Sequence, residues 1–283
     1  MLKLMYITNK PDVAAIADRS GVDRIMIDLE KIGKVKRQEG WNSIISDHAA
    51  TDILAVKKSV QNADILVRIN PIHADTEREI DAAISYGADI LMLPYFKTVS
   101  EVETFISAVA GRTKTCLLLE TKEAVDCIDA ILSVPGIDEV HIGLNDLSHS
   151  YDADFLFQMF PMGTVDFIVE KIKQHNIAAY GIGGIARLNQ GLVPAEDVIA
   201  EHYRLGSSCA ILSRAFCNTD LLEDITEIEK IFTSEVSRIR KLENEVAQFD
   251  DGLFAYCRKR FNDKVQAVVE NLNDRKQCTP EIR

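Results

Sequence analysis

No two of the six cysteines in this sequence (Cys116, Cys127, Cys209, Cys217, Cys257 and Cys278) stand in a C-x-x-C pair or at a zinc-site spacing. That removes the sequence signature of a structural zinc or of a dithiol redox motif. Cys116 and Cys209 lie inside apolar runs and read as buried thiols, as expected of a reduced, intracellular protein. No apolar run approaches the roughly 20 residues that a membrane-spanning helix needs, so no membrane partner is expected. The opening segment, MLKLMYITNKPD, lacks the apolar core and cleavage site of a secretory signal, and a cytoplasmic location is the expectation. Positive charge is also in short supply. Lys and Arg number 32 against 44 Asp and Glu, a formal net charge of −12. A chain this acidic repels a phosphate backbone, so nucleic acid is not an expected partner. Internal repeats and low-complexity tracts are missing too.

What the sequence does contain is an alternation. Eight short apolar runs, at 4–8, 24–30, 65–71, 90–96, 115–121, 139–147, 178–185 and 210–215, are apolar nearly throughout, as strands of a buried parallel sheet are. Amphipathic segments lie between them. Residues 11–19 end at Gly21, 76–86 at Gly87, and 100–110 at Gly111 after a Ser-x-x-Glu capping box of Ser100 and Glu103. Segments 122–132, 165–175 and 195–205 follow the same logic. Eight such units in a chain of 283 residues, 47% hydrophobic, predict an α/β fold of the closed (β/α)8 TIM barrel type with extra C-terminal helices. A doubly wound open sheet is the structural rival. The barrel is expected over 1–250, its last helix being 224–246. A further helix over 251–272 is either a packing appendage or an arm covering a second subunit, and the polar tail from 273 is expected to fray.

In such a barrel the active site lies at the C-terminal ends of the strands. Those ends carry Asn9, Asp28, Glu30, Arg68, Asn70, Glu120, Asn145, Asp146, the glycine-rich run 181–184 and Arg214. A carboxylate at the end of a buried strand is costly without a partner. Glu120 and Asp146, from adjacent strands, are placed to share one hard cation, Mg2+ or Mn2+, leaving room for water and substrate. Arg68 is either a structural ion-pair partner of Asp28 or Glu30, or a planar fork recognising a carboxylate or 2-oxo oxygen. His48 is either a capping histidine or an acid/base that reaches the mouth. His141, within the sixth strand, reads as a satisfied interior histidine, and His149 as a further acid/base candidate. Gly181-Ile182-Gly183-Gly184-Ile185-Ala186 matches G-x-G-x-x-A, but from a seventh strand rather than a first βαβ unit. Its glycines mark either close approach of backbone to a ligand at Gly183 or tight packing of strand against loop.

These residues sit in a familiar order. Gly21-Val22-Asp23-Arg24-Ile25-Met26-Ile27-Asp28-Leu29-Glu30 is followed by Val67-Arg68-Ile69-Asn70-Pro71 and by Gly87-Ala88-Asp89-Ile90-Leu91-Met92-Leu93-Pro94. Then come Leu118-Leu119-Glu120-Thr121 and Ile142-Gly143-Leu144-Asn145-Asp146-Leu147-Ser148. Over about residues 5–217 the sequence resembles the HpcH/HpaI aldolase and citrate lyase β-subunit family of phosphoenolpyruvate/pyruvate barrels. The resemblance implies that Glu120 and Asp146 ligate the metal and that Arg68 holds the substrate's oxo or carboxylate oxygen. It implies that Glu30 bonds metal-bound water, and that the backbone of Leu144, Asn145 and Asp146 cradles a carboxylate. It also implies a homo-oligomer. The chain departs from the pattern at Lys31, where the aldolase branch has an acid/base histidine, so that role does not carry over.

The chemistry so implied is metal-assisted cleavage or formation of a carbon–carbon bond beside a 2-oxo acid. The expected partner is a small anionic substrate, either a 2-oxo acid or an acyl-CoA of the malyl, citramalyl or citryl type. The basic segment 31–38, with Lys34 and Arg37, would serve a CoA phosphate. A non-catalytic barrel acting as an assembly subunit is the reading from another class, and the intact Arg68, Glu120 and Asp146 argue against it.

Overall fold

The computed structural model describes residues 1–34, 46–213 and 216–278, with side chains up to 274. Arg37 and Arg214 lie outside the described residues. Eight strands form a closed parallel barrel in chain order, which excludes the open sheet. They are β1 (Lys3–Ile7), β2 (Arg24–Asp28), β3 (Asp64–Arg68), β4 (Ile90–Leu93), β5 (Lys114–Leu119), β6 (Glu139–Ile142), β7 (Ala179–Ile185) and β8 (Cys209–Leu212). Closure is the pairing of β1 with β8, Lys3 opposite Cys209 through Tyr6 opposite Leu212.

Around the barrel run α1 (Pro11–Arg19), α2 (Ala50–Ser59), α3 (Thr76–Ser85), α4 (Val99–Val109), α5 (Lys122–Asp126), α6 (Ile128–Leu132), α7 (Leu144–Ser150), α8 (Thr164–Gln174), α9 (Ala195–Leu205), α10 (Ile225–Val246) and α11 (Asp251–Cys278). Side chains alternate across each strand. Ile25 and Ile27 of β2 therefore join the large apolar layer between strands and helices, while Met26 joins Met5, Leu66, Met92, Cys116, Leu118 and Cys209 in a second cluster inside the barrel. At the N-terminal end of the interior, Arg24 and Glu139 pair through two bonds of 2.6 Å, both residues buried. Burial disfavours the charge on the Arg24 guanidinium, and Glu139 more than offsets that cost.

The parity that buries Met26 also turns Arg24 and Asp28 inward, two residues to either side. By the same count Arg68 follows Leu66, Glu120 follows Leu118, and Gly143 follows His141. The mouth of the barrel is thus the top layer of the inward-facing positions.

Four local expectations need correction. The capping box of α4 is Thr98 with Glu101, not Ser100 with Glu103, because the helix starts at Val99 and only Thr98 has the extended backbone of an N-cap. The segment 122–132 is two short helices broken at Cys127. The sixth strand stops at Ile142, and 144–150 is the helix α7. The chain beyond 272 continues α11 to Cys278 rather than fraying there.

α11 packs on its own barrel. Phe261 is fully buried, with ring centroids 4.9 Å from Phe160 and 5.7 Å from Phe157. Arg258 pairs with Asp166 of α8 at 2.8 Å, and Arg260 with the buried Asp197 of α9. No helix among the described residues is long and apolar enough to cross a membrane.

Candidate active site

A cavity of about 600 Å³ opens at the C-terminal ends of the strands. Its floor is the inner apolar layer, Met26, Met92 and Leu118, together with His141. Its rim carries Arg68, Glu120, Asp146, Asp28, Lys34 and His48. Glu120 and Asp146 are both buried and both line this one cavity.

Glu120 follows the last residue of β5, and its Oε1 accepts the Tyr95 backbone N–H at 3.0 Å. Its other oxygen lies over Gly143. A Cβ at Gly143 would stand 2.7 Å from Glu120 Oε2 and 2.8 Å from its Cβ, so only glycine leaves Glu120 in place. Gly143 in turn precedes α7, whose first turn supplies Leu144, Asn145 and Asp146 to the cavity wall. Among the described residues no group of three or more His, Cys, Asp or Glu is arranged for a metal. A cation here would therefore take two carboxylates from the protein and its remaining ligands from water and substrate. That donor set, hard oxygen throughout and incomplete, fits Mg2+ or Mn2+ rather than zinc.

The lining also holds an ion cluster. Arg68 grips Asp28 bidentately, Nε to Oδ1 and Nη2 to Oδ2, both at 2.8 Å. Lys34, itself buried, donates to Asp28 Oδ2 at 2.7 Å and lies 3.4 Å from Glu30 Oε2. Arg68 Nη1 is 3.5 Å from the same Glu30 oxygen. Two buried acids thus face one buried and one partly exposed cation. Burial pushes the Asp28 carboxyl up, yet Arg68 and Lys34 outweigh it and hold the group well below the usual carboxylate range. Burial likewise opposes the Arg68 charge, and Asp28, Glu30 and Glu120 more than restore it. Arg68 is therefore both things that its sequence context allows, an ion-pair partner and a cavity-lining cation. Glu30 does not line the cavity; it sits behind the two cations.

Two further histidines and two polar residues find their places. His141 is buried inside the barrel, and its Nε2 donates to the Gly183 carbonyl at 3.1 Å, as a satisfied interior histidine does. Burial lowers its pKa to about 4. His149 is not among the lining residues. Asn9 lines the cavity and donates to Asp52 at 2.8 Å. Asn70 does not; its Oδ1 instead accepts the backbone N–H groups of Lys31 and Ile32 at 2.8 and 2.9 Å, pinning the turn after β2.

The glycine run of β7 is explained by packing. A Cβ at Gly181 would lie 2.3 Å from His141 Nδ1, and one at Gly183, where φ is +46°, 2.5 Å from Leu144 Cδ1. Gly183 and Gly184 still line the cavity.

Lys34 is the residue that the sequence hid. In a stretch of four cations between 31 and 38 it reads as part of a solvated basic loop, and only the fold carries it inward between Asp28 and Glu30. Lys31, where the family's histidine would stand, is exposed and pairs with Asp47 at 3.2 Å. Lys34 itself is held by Asp28 at the cavity wall. His48 is nearly buried at the cavity wall, and its Nδ1 accepts the Asp28 backbone N–H at 3.0 Å.

The profile of the HpcH/HpaI aldolase/citrate lyase family matches residues 3–154, more than half of the chain, and the chain belongs to that family. No curated protein sequence matches it. Solved structures with the same fold include an HpcH/HpaI aldolase from Desulfitobacterium hafniense DCB-2, with 15% identity and a TM-score of 0.59 over 81% of this chain and 93% of that one. An HpcH/HpaI aldolase/citrate lyase family protein from Burkholderia cenocepacia J2315 aligns at 14% identity and TM-score 0.60, over 80% and 94%. The citrate synthase SbnG aligns at 17% and 0.58, over 80% and 92%.

Proposed function

We propose that this member of the HpcH/HpaI aldolase/citrate lyase family is a metal-dependent carbon–carbon lyase that acts on a 2-oxo acid through a pyruvate-type enolate. The observation that carries the reading is the meeting of Glu120, Asp146 and Arg68 at one cavity in the barrel mouth. Glu120 and Asp146 would hold Mg2+ or Mn2+. When bound, such an ion supplies Lewis acidity at a 2-oxo oxygen and countercharge for the enolate.

The chain's own residues do the rest. Arg68 spends two of its five N–H groups on Asp28 and turns Nη1 toward Glu30, and an N–H group not so engaged would meet an oxo or carboxylate oxygen. Asp28 fixes the plane of the guanidinium, so the fork is aligned before substrate arrives. Glu30, within 3.4 Å of Lys34 and 3.5 Å of Arg68, helps hold both side chains in position. The first turn of α7 brings backbone at Leu144, Asn145 and Asp146 to the wall where a substrate carboxylate would rest. The apolar floor of Met26, Met92 and Leu118 keeps water from the reacting face of the enolate. A homo-oligomer in the cytoplasm belongs to the same proposal, with light scattering as its test.

The functional test is a substrate screen of oxaloacetate, 2-keto-3-deoxy sugar acids and malyl-CoA in Mg2+ and in Mn2+. Cleavage of a 2-oxo acid is expected, with loss in excess chelator and in Glu120→Gln and Asp146→Asn. Full activity in chelator or in either variant, or turnover of malyl-CoA alone, would overturn the reading.

A further inference from the structure

The backbone at the end of β2 dictates what His48 can do. β1 and β2 pair through Ile7 opposite Met26, and the Thr8 N–H closes the ladder on the Met26 carbonyl. On the other edge the Leu29 N–H donates to the Arg68 carbonyl. Backbone N–H groups alternate sides along a strand, so the Asp28 N–H points toward β1, past the point where β1 ends. A buried N–H left there would be costly. The Nδ1 of His48 takes it, at 3.0 Å.

A peptide N–H can only donate. Nδ1 of His48 is therefore the acceptor nitrogen, and in the neutral ring the hydrogen sits on Nε2. His48 also lines the cavity. With Nδ1 turned to the strand, its Nε2 edge is the polar edge left for a ligand. Among the described residues nothing else bonds to that nitrogen.

We propose that His48 serves the reaction as a neutral hydrogen-bond donor, presenting Nε2–H to a substrate oxygen that gains negative charge, and that it does not carry a proton. This rests on the lyase reading for the identity of the substrate, but not for the state of the ring. An imidazolium would need a second hydrogen on Nδ1, pointed at the Asp28 N–H. Either two hydrogens would face each other, or the ring would turn away and leave a buried amide without a partner. The surrounding charges divide. Burial and Lys34 disfavour the charged ring, Asp28, Asp52 and Asp220 favour it, and the balance lies on the neutral side. A neutral imidazole is too weak an acid to release its proton to substrate, yet as an aligned donor it stabilises a developing alkoxide or enolate without any transfer. Asp28 then has two duties. Its side chain aims Arg68, and its backbone sets the tautomer of His48.

The experiment has two arms. In protein labelled with 15N at histidine, the resonances missing from His48→Asn identify the ring. They should show Nε2 protonated and Nδ1 bare from pH 8 to pH 5.5. An Nδ1–H tautomer, or titration to imidazolium near the ordinary 6.5, would overturn the proposal whatever the enzyme turns over. The second arm is kinetic. His48→Asn keeps an acceptor for the Asp28 amide but has no donor at the Nε2 position, and kcat should fall by about 100-fold. His48→Gln restores a donor there and cannot act as an acid or base; its kcat should fall by less than about tenfold, with the pH profile unchanged. Equal large losses in both variants would show a proton carrier and sink the proposal. A chain that holds the Nε2–H tautomer but cleaves no 2-oxo acid would reject the lyase reading and leave the ring assignment standing.

Discussion

Arg68 and Asp28 face each other across adjacent strands, opposite one another in the β2–β3 register, and are joined by two parallel bonds of 2.8 Å. The pair is a fork meeting a carboxylate edge-on, an arrangement an ammonium cannot reproduce. Arg68→Lys should keep the charge and lose the alignment. We expect kcat/KM on the 2-oxo acid to drop by about 100-fold, roughly 2.7 kcal/mol of transition-state stabilisation. Activity within a few-fold of the parent would show that the second bond and the plane are irrelevant.

Lys34 tests the other half of the cluster. Lys34→Met fits the buried stem but takes one cation away from Asp28 and Glu30. Removing one partner of a buried ion group costs about 3 kcal/mol. The urea midpoint should fall accordingly, and a variant as stable as the parent would mean that Lys34 is not buried between the two acids in solution.

Gly143 makes a prediction about the metal without touching a ligand. In Gly143→Ala the new methyl would overlap Glu120 Oε2 and Cβ. The carboxylate must move, and Mn2+ affinity, read by titration calorimetry or electron paramagnetic resonance, should weaken by at least about tenfold while the circular dichroism spectrum is retained. Unchanged Mn2+ binding would remove Glu120 from the ligand set.

The buried histidines set the acid limit of stability. His141 and His202 are both held neutral by burial, with pKa values lowered from 6.5 to about 4 and about 3. The unfolded chain takes up these protons below pH 6.5 and the folded chain does not, so stability is full above 6.5 and falls as the pH drops through the window down to about 4 and about 3. Each contributes on the order of 3 kcal/mol by the bottom of its window. Asp28 acts further down, its depressed pKa giving stability that is present above 3.8 and lost below it. Urea midpoints measured from pH 8 to pH 4.5 should be level to about 6.5 and then decline. A flat profile down to pH 4.5 would contradict the burial of both rings.

The last prediction concerns α11. Phe261 fills the contact between this helix and Phe157 and Phe160. Phe261→Ala should cost about 3–5 kcal/mol, and a chain ending at 250 should expose that surface and aggregate. A truncated chain that stays monodisperse and equally stable would mean that the barrel does not need the helix.

The sequence alone determines much of this protein, because side-chain alternation and helical periodicity are local. Eight apolar runs were enough to foresee the barrel, and counting by twos along each run separates Asp28, Arg68 and Glu120 from the helix-facing Ile27, Val67 and Leu119. Tertiary structure decided what depends on parts of the chain meeting at a distance. Only closure against β8 excluded an open sheet, since strand order is not written in any one strand. Lys34 looked solvated because its neighbours are cations; its burial follows from the turn after β2, which folds it back onto Asp28 and Glu30 at the barrel mouth. His48 became a fixed donor because β1 stops two residues short and leaves one amide without a ladder partner. Gly181 and Gly183 of β7 owe their presence to His141 and Leu144, side chains of β6 and α7 that pack where a Cβ would stand. Local patterns specify which residues face inward, and only the packed barrel specifies what each of them meets.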